Sequence, residues 1–585
     1  MACIRRINYS VFEFIIIFFF FTECLAIRVI KLLTDVTVLL DIILAILPIS
    51  PHNDVAPAPP LEKMERGLQP TLFLLLLLWP KGAMLSHSNC PYRCQCFTPI
   101  QVLCADEHMT SVPKNISREA KELVIMTSAL HYLFPSSFEE GLQLHKLVFF
   151  NNQLQNIHSQ AFHNLSELEE LDISGNPWLE NLFLGTFSKQ ENLTKLQLNY
   201  NKFQTLLPGI FNSLKHLETL EMKANTISVL PPFLFQKLQN LRVLDLSLNR
   251  IQNVERETLS GLTGLEILKM SNNQISNISS DTFHHVGQLM ELHLEGNRIS
   301  ELDDEIFSAF TKLKVLNLRR NHLLTFSGQV FGRQVSNLTE LDLRGNRLTR
   351  VSAFSLLKSL TDVLLSSNQL SSLPDDIFRN VTTLENLDLS ENQLTSLPDG
   401  IFDDLKSIKI IHLHKNKLSS LDPGLFKDQG FIQQLYLSEN QLQNLPPGLL
   451  DHFALPHILR LYGNPWKCDC HMWYLHDFVL NNDQDIEMPD RMLCENPEFL
   501  RRRSVASIGR DELLCHLPRD ERMDLSSCSL QKSGDSLLIK CKVDKCSPLT
   551  VKVQFLERNG STREHIWKND GSECSNVTIS EVPMP

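Results

Sequence analysis

Apolar and polar residues alternate along most of the chain in a pattern that repeats about every 24 residues. The template LxxLxLxxNxL occurs fourteen times, and ten of the thirteen intervals between its asparagines are 24 residues, two are 25 and one, from Asn346 to Asn368, is 22. An earlier copy has Ser128 in the asparagine position. The template asparagines are Asn152, Asn176, Asn201, Asn225, Asn249, Asn273, Asn297, Asn321, Asn346, Asn368, Asn392, Asn416, Asn440 and Asn464. A fixed period of this length predicts a solenoid, in which each repeat packs on its neighbours.

Within one repeat the alternation predicts a short parallel strand. In LRVLDLSLNRI, residues 241–251, Leu244 is expected to point into the solenoid and Asp245 to point outward. The chain must turn after the strand, and Asn249 is expected to satisfy backbone groups there, so that stacked copies form an internal ladder. The 22-residue repeat before Asn368 is expected to disturb the stacking locally.

A second apolar position follows each asparagine by about ten residues and is mostly phenylalanine. We expect these rings to stack as an internal spine on the convex side, with Leu259 and Leu450 as substitutes. The phenylalanines are Phe138, Phe162, Phe187, Phe211, Phe235, Phe283, Phe307, Phe331, Phe354, Phe378, Phe402 and Phe426.

The fourteen cysteines lie outside the central repeats, with none between Cys104 and Cys468. Clusters at both ends of a cysteine-free body indicate structural disulfides made in an oxidising compartment. A zinc site made by Cys468, Cys470 and His471 is the alternative, but it would require reduced thiols in a secreted chain. Trp466 and Trp473 are expected to plug the last coil.

The segment MERGLQPTLFLLLLLWPKGAML, from residue 64, has the polar start, apolar run and small residues of a secretory signal peptide. It begins unusually far into the chain, so residues 1–63 are interpreted as an extension of the gene prediction outside the fold. The alternative, a membrane anchor in residues 11–47, would place several charges in the bilayer.

Sequons agree with secretion, because each is a potential site for an N-linked glycan. Glycans are expected to avoid the face that binds partners. Sequon asparagines are Asn115, Asn164, Asn192, Asn277, Asn337, Asn380, Asn559 and Asn576.

Catalytic motifs for metalloproteases, hydrolases with a nucleophilic serine, and nucleotide enzymes are missing from the sequence, so no catalytic residue, metal or cofactor is predicted. A formal net charge of −12 argues against nucleic acid as a ligand. His412 and His414 could bind a metal, but no template carboxylate is expected opposite them.

The outward positions of the concave strands are the predicted docking surface for a protein partner. A mixed patch of Arg319, Arg320, Arg344 and Arg347 with Asp342 is either a solvated face or an ionic contact with that partner. The candidate residues are Asp245, Lys269, His293, Glu295, Arg319, Asp342, Arg344, His412, His414 and Tyr436.

The C-terminal tail contains no apolar stretch long enough to span a bilayer and no hydrophobic signal for a lipid anchor, so a stable membrane anchor is not expected. Val551, Val553 and Phe555 alternate as in a half-buried strand. Four tail cysteines could close two bridges in any of three connectivities. The tail is therefore expected to be a small β-rich unit.

The motifs CPYRCQCF, LPDGIFDDLKSIKIIHLHKNKLSSL and GNPWKCDCHMWYL, with the cysteine-bearing tail, resemble extracellular leucine-rich repeat proteins, and in particular the non-catalytic regulatory subunits of plasma carboxypeptidase N. The resemblance covers the chain from about Cys90 onward. It implies an α/β leucine-rich repeat solenoid, or horseshoe, with disulfide-bonded N- and C-terminal caps. The implied disulfides are Cys90–Cys96, Cys94–Cys104, Cys468–Cys494 and Cys470–Cys515.

The same resemblance implies a secreted plasma glycoprotein without catalytic activity. Its partner would be a zinc carboxypeptidase that removes C-terminal Lys or Arg, with a heterotetramer as one candidate assembly. The alternative function is an adhesion protein or receptor ectodomain that binds an extracellular protein. The predicted segments are a gene-model extension (1–63), signal peptide (64–88), N-terminal cap (89–120), repeats (121–466), C-terminal cap (467–517) and β-rich tail (518–585).

Overall fold

The computed structural model describes residues 90–333, 336–453 and 457–515, together with five strands between residues 528 and 583. The predicted signal peptide, residues 1–63, Asn559 and Asn576 lie outside the described residues. The cap, repeat and tail boundaries given above therefore stay predictions.

Strands dominate the described residues, and a single α-helix, α1, spans Trp473–Asn481 among them. Strands β1 to β15 are Cys94–Thr98, Gln101–Ala105, Glu122–Met126, Tyr132–Leu133, Lys146–Phe150, Asn156–Ile157, Glu170–Asp172, Lys195–Gln197, Thr219–Glu221, Val243–Asp245, Asn253–Val254, Ile267–Lys269, Asn277–Ile278, Glu291–His293 and Val315–Asn317. Strands β16 to β30 are Thr325–Phe326, Glu340–Asp342, Arg350–Val351, Asp362–Leu364, Asn386–Asp388, Ile410–His412, Gln434–Tyr436, Ile458–Arg460, Trp466–Lys467, Cys494–Asn496, Cys528–Ser533, Ser536–Cys541, Leu549–Leu556, Thr562–Asn569 and Val577–Pro583.

One sheet of 17 strands runs through all the repeats. It begins with the antiparallel pair β1 and β2, and every later neighbour pairs in parallel in chain order as far as β23. In most three-residue strands the middle residue is buried while its neighbours remain partly exposed, as in Val243–Asp245. This is the alternation expected of a sheet with one solvated face. The predicted repeat strands are confirmed.

The asparagine ladder is present at all fourteen template positions. Asn249 is typical, because its Nδ2 donates to the carbonyl oxygens of Met222 at 2.9 Å and Leu246 at 3.0 Å. The next asparagine, Asn273, accepts through its Oδ1 from the backbone N–H of Ile251 at 3.0 Å. From Asn176 onward, each side chain donates to carbonyls of its own repeat and of the preceding one, which pairs backbone groups inside the coil.

The expectation that the 22-residue repeat disturbs the stacking is wrong. Asn368 accepts from the N–H of Leu348 at 3.0 Å, as the other ladder asparagines do. Strands β17 and β19 keep the parallel register, with Glu340 opposite Asp362. The two missing residues come from the loop between Asn346 and the spine residue Phe354, which lies eight positions later rather than ten. Strand and ladder therefore remain unchanged.

The phenylalanine spine is buried, and neighbouring rings lie close to one another. Phe187, Phe211 and Phe235 stack with centroid separations of 6.4 and 6.2 Å. Phe310, which sequence reasoning did not single out, inserts beside Phe283 with 5.3 Å between centroids. The rings form core packing, as predicted from the pattern.

Disulfide-bonded modules flank the repeats. The structure contains Cys90–Cys96, Cys94–Cys104, Cys468–Cys494 and Cys470–Cys515, which are the pairs implied by the resemblance. At the front, β2 extends the main sheet, so the cap pairs with the backbone of the first repeat.

The C-terminal cap closes the apolar interior with Trp466, which is fully buried. The expectation that Trp473 also plugs the last coil is wrong. Trp473 is 43% exposed and lies under the guanidinium of Arg510. Trp473 is the first residue of α1, and that helix buries Leu475 and Val479 instead.

The β-rich tail contains five antiparallel strands. Strand β27 pairs with β26 and β30, and β28 pairs with β29. The predicted strand around residues 551–555 lies in β28. The tail strands confirm that the segment is β-rich.

Candidate protein-binding surface

The 17-stranded sheet has a solvent-facing surface that extends across all the repeats, and we call it the sheet face. Outward positions of neighbouring strands align in rows because every repeat strand keeps the same register. One row contains Asp245, Lys269 and His293 on adjacent strands. The row continues through Asn317, Asp342, Leu364, Asp388, His412, Tyr436 and Arg460.

All ten predicted docking residues occupy outward positions of the repeat strands or the residue two places beyond. Asp245, Lys269, His293, Glu295, Arg319, Arg344, His412 and His414 are partly exposed, whereas Asp342 and Tyr436 are largely buried by their neighbours. The rows bring these residues onto one surface but spread them over seven strands. They do not converge into one compact pocket.

The centre of the sheet face contains an internal ion pair. Arg344 donates through Nε and Nη2 to the two carboxylate oxygens of Asp342, at 2.9 and 2.6 Å. Burial raises the pKa of nearby Glu340, and the like charges of Asp362 and Asp342 raise it further. Asp342 thus pairs with Arg344 within the chain, whereas Arg319, in the preceding repeat, forms no salt bridge among the described residues.

The mixed arginine patch predicted from the sequence is divided by the fold. Arg319 and Arg344 lie on the sheet face, but Arg320 and Arg347 are exposed in the loops beside the ladder. Arg320 has a left-handed backbone, with φ of 54°, which turns the chain away from the sheet. The patch is not a single surface.

A stacked column occupies the last three strands of the sheet face, and we call it the aromatic column: His412, Tyr436 and Arg460. The rings of His412 and Tyr436 lie 4.3 Å apart at an angle of 4°. The Arg460 guanidinium lies 3.8 Å from the centroid of the Tyr436 ring, on the side of the next strand. Glu487 from the C-terminal cap pairs with Arg460. The stacking of Arg460 on Tyr436 is a cation–π contact, which orders the C-terminal end of the sheet face.

The fold disfavours protonation of the two histidines of this region. Burial lowers the pKa of both His412 and His414, against the opposing influence of Asp388. Nε2 of His412 and Nδ1 of His414 are shielded from solvent and accept or donate no hydrogen bond among the described residues. A proton on either nitrogen would therefore be poorly solvated.

Sequence reasoning missed three residues here. Asp388 lies directly opposite His412 in the parallel register, so the expectation that no carboxylate faces the histidines is wrong. Asp388 and Arg460 could have been found by counting one repeat from His412 and Tyr436. Glu487 could not, because it belongs to the cap rather than the repeats.

The described residues contain one group able to approach a metal ion, namely Cys470, His471 and Cys515. Two of its members are joined in a disulfide, so their thiolates are not available as ligands. Within the same described portion, every helix is too short or too polar to traverse a bilayer.

The six sequon asparagines within the described residues are all solvent-exposed and lie off the sheet face: Asn115, Asn164, Asn192, Asn277, Asn337 and Asn380. Their use as glycosylation sites stays a prediction.

The sequence profile of the family described as "Leucine rich repeat" matches residues 118–177, 191–251, 239–299, 287–348, 358–418 and 406–465. These segments together cover more than half of the chain, so the protein belongs to the leucine-rich repeat family. Members use stacked repeats as extended binding surfaces for proteins.

Individual relatives match shorter stretches. Human Reticulon-4 receptor-like 2 is 32% identical over 24% of this chain and 33% of its own length. Human Carboxypeptidase N subunit 2 is 33% identical over 21% of this chain and 27% of its own length. The chain thus spans about a third or less of the curated relatives that it matches. A solved leucine-rich repeat protein of Leptospira interrogans has 27% identity and a TM-score of 0.56, covering 66% of this chain and 94% of that one.

Proposed function

We propose that this chain is a secreted, non-catalytic subunit that binds a zinc carboxypeptidase specific for C-terminal Lys or Arg. The observation that carries the proposal is the sheet face, whose polar rows end in the aromatic column. Its segmental similarity to Carboxypeptidase N subunit 2 supports the choice of partner. Flanking disulfides support an extracellular location, since such bonds persist in oxidising compartments.

Binding of this kind stabilises a partner without any chemistry by the carrier. A subunit that binds only the folded enzyme lowers the population of its unfolded form by mass action. The sheet face suits this role because its backbone is fixed by ladder hydrogen bonds on every strand. Tyrosine and arginine, as in the aromatic column, are the residues most often responsible for binding energy at protein interfaces.

Two adjacent arginines provide a sharp test. Arg319 lies on the sheet face, and Arg320 is exposed beside the ladder. We expect Arg319→Glu to weaken binding of the carboxypeptidase at least about tenfold, the scale of an interfacial charge contact. Arg320→Glu makes the same charge change outside the surface and should leave the affinity unchanged. Titration by surface plasmon resonance measures both, and equal affinities for the two variants would remove the sheet face from the interface.

A receptor or adhesion ectodomain is the second candidate, favoured by the similarity to Reticulon-4 receptor-like 2. It differs from the carrier in where the chain is found and in what it binds. N-terminal sequencing of protein recovered from the medium separates them. A start near Ser86 in soluble material supports the carrier, whereas a membrane-bound chain retaining residues 11–47 supports the receptor.

A further inference from the structure

A polar groove crosses the flank of the repeats where five neighbouring strands, β7 to β10 and β12, begin. Its volume is about 660 Å³, and its lining includes both Asn192 and Thr194 of a single sequon. The groove also exposes His216, Glu218 and Arg242 from the following repeats. We call it the flank groove. It lies off the sheet face, so the proposed protein interface does not occupy it.

We propose that the flank groove is a carbohydrate-binding site for the N-linked glycan of Asn192. Asn192 lines the groove, so a glycan attached to its side chain would start at the groove wall. Three further strand spacings, about 14 Å, separate Asn192 from the far end at Gly264. The proposal rests on the secretory route of the proposed function but not on the choice of partner.

Attachment is compatible with the local hydrogen bonds. Asn192 Nδ2 donates one hydrogen to the carbonyl of Ser166 at 3.3 Å, which leaves its second N–H free. Glycosylation exchanges that second N–H for an N–C1 bond. The oligosaccharide comes from an activated lipid diphosphate donor, whose diphosphate departs and takes up the proton. The bond to Ser166 can therefore persist in the glycoprotein.

The groove offers both acceptors and donors to sugar hydroxyls. His216 donates from Nδ1 to the carbonyl of Glu191 at 2.9 Å, which leaves Nε2 of this exposed residue as an acceptor when the ring is neutral. Arg242 donates from Nε and Nη2 to the Glu266 carboxylate, at 3.1 and 2.8 Å. The hydrogens of its Nη1 remain available to donate to a ligand. The Glu218 carboxylate is a further acceptor beside them. Neutral, hydroxyl-rich ligands match this mixture of polar groups.

Asn337 provides a matched internal control. Both sequons read Asn-Leu-Thr and occupy the same place in the repeat. Asn337 Nδ2 donates to the carbonyl of Thr311 at 2.8 Å, as Asn192 does to Ser166. The two sites differ in their surroundings, because Asn337 is not part of the flank groove.

The experiment uses the full chain secreted from mammalian cells. Peptide N-glycosidase digests the native protein, and mass spectrometry follows release at Asn192 and Asn337 in the same molecules. We expect release at Asn192 to be about tenfold slower than at Asn337, which corresponds to a glycan that is bound in the groove in about nine of ten molecules. After denaturation the two rates should be equal.

His216→Ala should accelerate release at Asn192 severalfold and leave Asn337 unchanged. His158→Ala, an exposed histidine outside the groove, should alter neither rate. An unoccupied Asn192, equal native rates at the two sites, or no effect of His216→Ala would each overturn the proposal. Secreted, correctly partnered protein with an unoccupied Asn192 would overturn this inference alone, whereas failure of secretion would overturn the proposed function as well.

Discussion

At the scale of single residues, one asparagine per repeat determines how tightly the coils can turn. Its side chain donates to carbonyls and accepts from an N–H that the turn leaves without a partner, as Asn249 and Ile227 show at 3.0 Å. Leucine at this position could fill the volume but could not pair those groups. The polar residue in the middle of an apolar template is therefore a requirement of the backbone.

Asn249→Ala should lower the free energy of unfolding by about 2–4 kcal/mol, because several buried backbone groups lose their partners at once. Asn253→Ala, in the same repeat but exposed, should change it by less than about 0.5 kcal/mol. Urea-induced unfolding followed by circular dichroism measures both. Similar losses for the two variants would contradict the role assigned to the ladder.

His412 and His414 should make stability depend on pH. Their pKa is lowered in the fold, largely by burial, from an ordinary value of 6.5. The unfolded chain therefore binds more protons than the folded chain below about pH 6.5, and stability must fall as the solution is acidified. The contribution is fully present above the ordinary pKa and is lost as pH falls through the folded pKa.

A double variant, His412→Gln with His414→Gln, should show a weaker loss of stability than the natural protein between pH 7 and pH 5. Thermal unfolding at a series of pH values measures the difference. Parallel curves for the two proteins would show that these histidines titrate normally.

At the scale of elements, the repeat strand and the spine could be predicted from spacing alone, because each repeat meets the same neighbours. Features that depend on a particular loop or cap were harder to predict from the sequence. The shortened repeat keeps its register because its loop absorbs the deletion, and Trp473 is exposed because α1 turns another side to the core. Neither fact is encoded in the repeat period.

The aromatic column likewise combines residues that the repeat period predicts with a cap residue that it does not. His412 and Tyr436 were recognised as outward residues, and Arg460 follows from the period. Glu487, which pairs with Arg460, comes from a cap whose packing has no periodic signal. Sequence therefore located the surface, but it could not supply the contacts that order its C-terminal end.

The tail provides a prediction about strand pairing. Cys528 and Cys541 are directly opposite in the antiparallel pair β26 and β27. Opposed residues in such pairs have Cα atoms about 4.5–5.5 Å apart, within the range that a disulfide spans. We therefore expect a Cys528–Cys541 disulfide. Non-reducing peptide mapping tests this, and a peptide joining Cys528 to Cys546 or Cys574 would contradict the strand register.

At the scale of the whole molecule, the repeats provide a binding surface and the caps protect the ends of its apolar core. Every repeat buries leucine against its neighbours, and most also bury a phenylalanine, so terminal repeats would otherwise expose those side chains. Stability and recognition are thus separated, because the inward positions maintain the stack and the outward positions are free to vary. The family and fold are established, and the identity of the partner is the central claim to be tested.

The most direct measurement is to isolate the native protein from plasma without denaturant, identify the chains that co-purify, and assay the material for release of C-terminal Lys or Arg. The account predicts a stoichiometric metallocarboxypeptidase whose stability falls when the two chains are separated. It also predicts no such activity from this chain alone. Recovery of the chain without an enzyme partner, or hydrolysis by the purified chain itself, would contradict the account.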